Sequence, residues 1–386
     1  MSFDFDEIID RRNSDSAKWK YYAADILPAW VADMDFRSPP ALSRALHARI
    51  DHEVFGYAFP GPEVTDSIVT WAQRKYGWTI IADDIVLLPG LVSGLNLVTR
   101  AFGHPGDSTI TLTPIYGPMM SASSDQGMQS IQAPLTAVRS GSTVRFEIDF
   151  DAFERAITAR TTLFMMCQPH NPAGREFTRE DLARLGAICQ KRNVLICSDE
   201  IHGDLMLDGR AHTVFASLSP ELADRTITLM APSKTFNVPG LGCSIAIVQN
   251  AQLRQRLKNS MSGIIPHVNL LGLVAAQAAF TQCDDWLAGL QAYLTANRDV
   301  LVKFVAEHMP GVATTVPEAS YLAFLDFRTV ELARDPYAFF MDKAKVALSS
   351  GLGFGKDGAG FARLNFGCPR SRMLEVLERL AAALPA

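Results

Sequence analysis

From about residue 84 the chain alternates short apolar runs with stretches of helical periodicity. Asp84-Ile-Val-Leu-Leu88 reads as a strand, Pro89-Gly90 as a break and Leu91 to Phe102 as a helix. Ser108 to Leu112 and Tyr116 to Gln126 repeat the pair, followed by a strand over Thr162 to Cys167. A helix over Thr178 to Arg192 is expected next, with Thr178 as N-cap and Asp181 as the acid at N3, then strands at Val194 to Ser198, Thr226 to Met230 and Cys243 to Val248. Runs such as Leu163-Phe-Met-Met-Cys167 are apolar at successive positions, so both faces of the strand need cover. This predicts an α/β fold whose large domain is doubly wound around a mostly parallel sheet.

After residue 250 the pattern changes to long helices over 250–261, 268–281 and 284–308. Strands at Val312 to Val316 and Tyr321 to Phe327, a helix over 336–347, a strand at Phe361 to Phe366 and a helix at Ser371 to Leu384 complete it. A smaller α+β domain follows from that order. At the other end, Pro39 to Ile50 reads as a helix with Ser38 as N-cap and Pro39 at N1, where a missing N–H costs nothing. The expected division is 50–285 for the large domain, and 1–49 together with 286–386 for the small one.

Composition sharpens the picture by exclusion. The 386 residues are 48% hydrophobic and 20% charged, an ordinary globular balance for about two domains. Thirty-six Lys+Arg against 41 Asp+Glu give a net charge of −5 without a block of like charge, which argues against nucleic acid as a partner. The start, MSFDFDEIID, lacks a basic segment followed by an apolar run, and stretches such as Leu270 to Phe280 are too short for a bilayer. A cytoplasmic protein without a membrane partner is expected. The six cysteines include no CxxC pair and read as buried free thiols, not as disulfides or a zinc site.

In open α/β sheets ligands bind beyond the carboxyl ends of the strands. Four polar residues sit there: Tyr116, Asn171, Asp199 and Lys234. Taken singly, Asp199 reads equally well as a cap, Asn171-Pro172 as a turn, Tyr116 as packing and Lys234 as a solvated side chain. Together they suit one chemistry. Lys234 stands in an uncharged context after a strand, and a desolvated lysine can form a Schiff base with an aldehyde. Asp199 can keep a pyridine nitrogen protonated, which makes the ring an electron sink. Pro89-Gly90-Leu91 leads from a strand into a helix, whose first N–H groups can take a phosphate. His202, among Asp199, Glu200 and Asp204, lacks the spacing of a metal ligand set and reads as orienting Asp199, so no metal is expected. Gly351-Leu-Gly-Phe-Gly355 and Gly358-Ala-Gly360 read as a flexible loop before Arg363.

These residues belong to longer strings: Pro28-Ala-Trp30-Val-Ala-Asp33-Met-Asp35-Phe, Pro169-His-Asn171-Pro-Ala-Gly174-Arg175, Ser198-Asp-Glu-Ile-His202-Gly-Asp204-Leu, Pro232-Ser-Lys234-Thr-Phe-Asn237 and Phe361-Ala-Arg363-Leu-Asn365-Phe. Almost end to end, the chain resembles pyridoxal-5′-phosphate enzymes of the class I/II aminotransferase family, fold type I. Within them it looks most like the PatB/MalY-like cystathionine β-lyases, or C–S lyases. The resemblance implies that Lys234 is the Schiff-base lysine and the base at Cα. Asp199 would pair with the pyridine nitrogen, Asn171 with the phenolic oxygen, and Tyr116 would lie over the ring, with His202 also at the cofactor. Leu91 and Val92 N–H groups, the Ser233 hydroxyl and a Tyr57 reaching across from a second copy would hold the phosphate. Arg363 would grip the substrate α-carboxylate, beside Ala32, Asn171 and Tyr116. A homodimer with shared sites follows from that role of Tyr57.

The activity so implied is β-elimination of cystathionine or a related cysteine S-conjugate to thiol, pyruvate and ammonia. Transamination of an amino acid with a 2-oxo acid is the alternative, and a regulatory role through a partner is a third. The chain departs from the pattern where aromatic residues commonly follow the stacking tyrosine, since Gly117-Pro118-Met119-Met120 stand there. Gln168, Gly242 and Glu318-Ala-Ser-Tyr321 differ as well. These differences touch the substrate pocket more than the cofactor.

Overall fold

The computed structural model describes residues 3–332 and 334–385. Its centre is a seven-stranded sheet in the order Ile85–Leu88, Ser244–Ile247, Thr226–Met230, Leu195–Asp199, Thr161–Cys167, Ser108–Thr113 and Gln129–Pro134. Only Ser244–Ile247 runs antiparallel to its neighbours. Thr226–Met230 and Ser108–Thr113 are buried at every position, because helices cover both faces and leave no solvent side for alternation to follow. The register sets Cys167 opposite Asp199 and Asp199 opposite Leu229, so three strands end level and hand their next residues to one edge.

Local chemistry decides the helix starts. The helix Arg179–Lys191 opens on the expected capping box, with Thr178 Oγ1 accepting from Asp181 N–H at 3.1 Å and Asp181 Oδ2 from Thr178 N–H at 3.2 Å. The N-terminal helix begins one residue later than expected: it is Pro40–Ile50, with Pro39 at N-cap and Pro40 at N1. Ser38 does not cap it, since its hydroxyl donates to the Asn237 carbonyl at 3.2 Å. A helix at Pro62–Tyr76, closed by Gly77 in the left-handed region, was not legible from the sequence.

A second sheet runs Ser349–Ser350, Phe361–Asn365, Leu322–Asp326, Ala313–Thr314, Thr143–Glu147 and Thr136–Ser140. Its last two strands form a hairpin from the middle of the chain, added to strands from the C-terminal part. The hairpin is half-exposed and carries Arg139 and Arg145, which masks it in an apolar count. We propose 50–285 and 1–49 with 286–386 as the two domains, with this hairpin reaching from the first into the second's sheet. The expected helix over 336–347 stops at Lys343, and Val346–Ala347 pair with Leu27–Pro28 instead. The glycine-rich stretch before Arg363 is packed, not loose. A Cβ on Gly351 would lie 2.0 Å from the Gly358 carbonyl oxygen, so the glycines permit backbone contact between two short 3₁₀ turns. All six cysteines are free and buried, and no described helix is long and apolar enough to cross a membrane.

Residues 30–36 form a strap that joins three of the strings quoted above. Asn237 donates to the carbonyls of Met34 and Phe36, both at 2.9 Å, and accepts from Met34 N–H at 2.9 Å. Asn365 donates to the Val31 and Asp33 carbonyls at 2.7 Å. Beneath them, the buried Asp35 takes Lys18 at 2.7 Å, Arg11 at 2.6 Å and the Trp19 indole N–H at 2.8 Å. Asn237 has φ of 56°, where a Cβ other than that of Asn or Asp is costly. Asn237→Ala therefore lowers unfolding stability by roughly 2–4 kcal/mol in a denaturant titration, through unpaired strap groups plus backbone strain. Asn237→Gly removes the strain and recovers about 1 kcal/mol of that loss; equal losses for the two variants would show that φ is not strained.

Candidate active site

The level strand ends place the polar residues around a cavity of about 280 Å³ at the carboxyl edge of the large sheet. Lys234 enters from the four-residue helix Pro232–Thr235, directly after Thr226–Met230. Its Nζ donates to the Ala32 carbonyl of the strap at 2.6 Å. Burial, and then the positive charge of Arg363, pull its pKa down to about 8, against the attraction of Asp33 and Asp199.

Asp199 closes its strand with 2% of its surface exposed, and its Oδ1 accepts from Ile201 N–H at 3.2 Å. Burial raises its pKa to about 7, and the neighbouring Glu200 adds to the effect. A carboxylate so desolvated wants a cation beside it.

Arg363 lies on Phe361–Asn365, the strand of the second sheet that faces the cavity. Its Nη1 donates to Asn171 Oδ1 at 3.0 Å, and Nη2 to the Trp30 carbonyl at 3.0 Å and Ser349 Oγ at 3.2 Å. Nε is buried and has no partner among the described residues. With 6% of its surface exposed, Arg363 is thus held mainly through its two Nη atoms. Because Asn171 Oδ1 is occupied by the guanidinium, its amide Nδ2 is the group left to donate.

Tyr116 stands at the N-cap of Gly117–Ser124, where burial raises its pKa, followed by the charge of Asp199. Leu91 and Val92 open the helix Leu91–Phe102, whose first N–H groups have no intrahelical partner, and Ser233 lines the same wall. Ala32 also lines it, its carbonyl shared between Lys234 and the Tyr321 hydroxyl at 3.0 Å.

Ten of the eleven sequence-derived site residues line this one cavity. Tyr57 does not: it is fully exposed on the segment 53–60. His202 is in the wall, but its Nδ1 pairs with Ser320 Oγ at 3.0 Å and not with Asp199. Burial and the charges of Lys234 and Arg363 lower its pKa to about 3, so the ring is neutral and cannot serve as a counter-ion to Asp199. Sequence reasoning missed Ser349 and the Trp30 carbonyl as partners of Arg363. Neither carries a signal, since 14 and 333 residues separate them from it.

The donor set fits the pyridoxal phosphate that the sequence led us to expect. Asp199 requires a cation, which a protonated pyridine nitrogen provides. Leu91, Val92 and Ser233 offer donors for a phosphate, Lys234 an amine for an aldehyde, and the guanidinium of Arg363 on the cavity wall a positive charge for a carboxylate.

Comparison with known proteins gives the same answer independently of the geometry. The family model described as aminotransferase class I and II matches residues 32–380. Cystathionine beta-lyase PatB of Bacillus subtilis (strain 168) is 37% identical, over 98% of this chain and 99% of its own. Among solved structures, OvoB is 41% identical with a TM-score of 0.94, covering all of both chains. Cystalysin from Treponema denticola, whose structure contains pyridoxal 5′-phosphate, is 34% identical with a TM-score of 0.94 over 99% of each chain. Matched end to end by such relatives, the chain belongs to the class I and II aminotransferase family, on the branch that holds PatB.

Proposed function

We propose that the protein is a pyridoxal-phosphate-dependent C–S β-lyase that converts cystathionine or a related cysteine S-conjugate to a thiol, pyruvate and ammonia. The observation that carries this reading is a single cavity lined by a depressed-pKa lysine, a buried aspartate and an arginine. The names cystathionine beta-lyase and C–S lyase, borne by relatives 31–37% identical over nearly their whole length, support it. Bound in this site, the cofactor supplies an electron sink that stabilises negative charge at the substrate Cα.

The chain's own residues do the rest. Arg363, held by Asn171, Trp30 and Ser349, orients the substrate through its α-carboxylate. Lys234, with a pKa of about 8, is partly neutral near physiological pH and removes the Cα proton at Nζ. The Ala32 carbonyl accepts from the ammonium that results. Asp199 would hold the proton at the pyridine nitrogen, and Tyr116, on the wall of the same cavity, would hold the ring. The Cβ–S bond then breaks with its electron pair on sulfur, and the released three-carbon fragment takes up water to give pyruvate and ammonium.

The test is pyruvate release from L-cystathionine by the cofactor-loaded protein, without an added 2-oxo acid. Many turnovers with stoichiometric thiol are expected. At most one turnover, rescued by a 2-oxo acid, would overturn the reading in favour of transamination. Arg363→Lys cannot reproduce the planar fork and raises KM for cystathionine about 10–100-fold with a smaller change in kcat; an unchanged KM would remove Arg363 from carboxylate binding.

A homodimer belongs to the same proposal. Val54, Phe55, Tyr57 and Phe59 project exposed from one short segment, Tyr57 and Phe59 almost entirely so. A cluster of large apolar side chains of this kind favours burial by a second copy. Tyr57 would then complete the partner's phosphate site. Tyr57→Ala is expected to weaken cofactor retention about tenfold in a dialysis titration, the worth of one charge-assisted hydrogen bond. Monomeric mass by light scattering, or unchanged retention, would overturn it. Six free, buried thiols suit a reducing compartment, which supports a cytoplasmic location.

A further inference from the structure

Arg363 and Tyr116 have a second side. Beyond them lies another cavity, of about 350 Å³, walled by Tyr22, Trp30 and Tyr337 and bordered by Ser349 and Ser350. Its aromatic wall is built, not incidental. The Tyr22 and Tyr337 hydroxyls are 3.2 Å apart, and the Tyr22 ring stands edge-on to Trp30 with centroids 5.5 Å apart. Trp30 is fixed at both ends: its indole N–H donates to the Lys18 carbonyl at 3.2 Å, and its own carbonyl accepts from Arg363 and from Ser349 Oγ. The wall is therefore tied to the group that orients the substrate.

Opposite this wall, the chain puts no side chain at Gly117, and a Cβ there would come within 3.0 Å of the Gly353 carbonyl oxygen. The two cavities lie against each other, with Tyr116 and Arg363 on the wall of both. Among the described residues, Arg363 is the only formally charged one on the lining, and the α-carboxylate occupies it. A leaving group with its own ammonium and carboxylate would find no counter-charge for either on this lining beyond the Arg363 already engaged. A flat ring would gain aromatic contacts, with hydroxyls for any polar edge.

We infer that this aromatic vestibule is the subsite for the leaving thiol, and that the preferred substrates are cysteine S-conjugates bearing an uncharged aromatic ring on sulfur. The inference rests on the C–S lyase reading. The reaction stays balanced as above: the ring-bearing fragment leaves as thiolate, takes a proton and departs as the free thiol.

The test compares kcat/KM for four conjugates with the holoenzyme, by pyruvate release: S-benzyl-, S-cyclohexylmethyl- and S-methyl-L-cysteine, and L-cystathionine. The first two match in bulk, but the benzyl thiol is the more acidic leaving group, so aromatic contact is read from the change in their ratio when a ring is removed from the wall, not from the ratio alone. S-benzyl-L-cysteine is expected to exceed each of the others by roughly tenfold. Tyr337→Leu, which keeps apolar volume without a ring, lowers the benzyl-to-cyclohexylmethyl ratio by roughly fivefold. Turnover of cystathionine or the cyclohexylmethyl conjugate equal to that of the benzyl one, or a ratio untouched by Tyr337→Leu, overturns the subsite while leaving the lyase standing. Absence of pyruvate from all four overturns the lyase reading and the subsite with it.

Discussion

Lys234→Ala abolishes pyruvate release, by roughly 10⁴-fold or more, while the protein still folds and still takes up cofactor. The loss is large because two tasks end together: the amine that engages the cofactor aldehyde and the base at Cα are the same Nζ. Folding survives because the strap does not depend on that bond alone. The Ala32 carbonyl keeps the Tyr321 hydroxyl at 3.0 Å, and Asn237 and Asn365 still hold the backbone on both sides. The amine is in fact unfavourable to the fold as a cation. Its folded pKa of about 8 lies below its ordinary 10.5, so the cost is present below about pH 8 and is relieved as pH rises towards 10.5. Apo-Lys234→Ala should accordingly lose little stability at pH 7 beyond its bond to Ala32. Cofactor uptake is read by gel filtration and absorbance, and turnover by coupled pyruvate detection. A variant that keeps more than about 1% of wild-type turnover would remove Lys234 from the chemistry.

Much of the site was legible because its residues follow uninterrupted apolar strands. Asp199 after Leu195-Ile-Cys-Ser and Lys234 after Thr226–Met230 stand out only as a set, since each alone reads as a cap or a solvated side chain, whereas an acid and a lysine at the ends of buried parallel strands suit one chemistry. The large sheet was legible for the same reason. What escaped depended on tertiary partners. Ser38 has the chemistry of a cap, yet Asn237, almost two hundred residues away, takes its hydroxyl. The Thr136–Glu147 hairpin sets the exposed Arg145 between buried Val144 and Phe146, a pattern whose buried side exists only once the second sheet is in place. The glycines from 351 to 360 suggested looseness, but a missing side chain serves close packing as readily as mobility, and only the neighbouring backbone distinguishes the two. Ser349 and the Trp30 carbonyl became partners of Arg363 through that same convergence of distant segments.

Asp199→Asn should do two opposite things: cut turnover by about 10²–10⁴-fold, and make the cofactor-free protein more stable at pH 8. The first effect follows because an amide cannot hold the pyridine proton by charge, and the electron sink weakens with it. The second follows from the direction in which burial moves the carboxyl. The folded pKa of about 7 lies above the ordinary 3.8, so between about pH 4 and 7 the folded apoprotein binds the extra proton. Its stability therefore falls as pH rises through that window, and above it the penalty is complete. A rise from 3.8 to about 7 corresponds to roughly 4 kcal/mol as an upper bound, and solvent entering the cavity reduces it. Asparagine matches the shape and keeps the acceptor for Ile201 N–H without the charge. Denaturant midpoints of both apoproteins should thus nearly coincide at pH 4 and separate at pH 8, with the variant higher. Adding the cofactor should close or reverse that gap, because a cation beside Asp199 turns its burial from a cost into a stabilising pair. A variant less stable than wild type in the apo form at pH 8, or one retaining more than about a tenth of its activity, would refute the role given to Asp199. The site is accordingly built at the expense of the empty fold: the carboxylate that weakens the apoprotein is the one that holds the cofactor reactive.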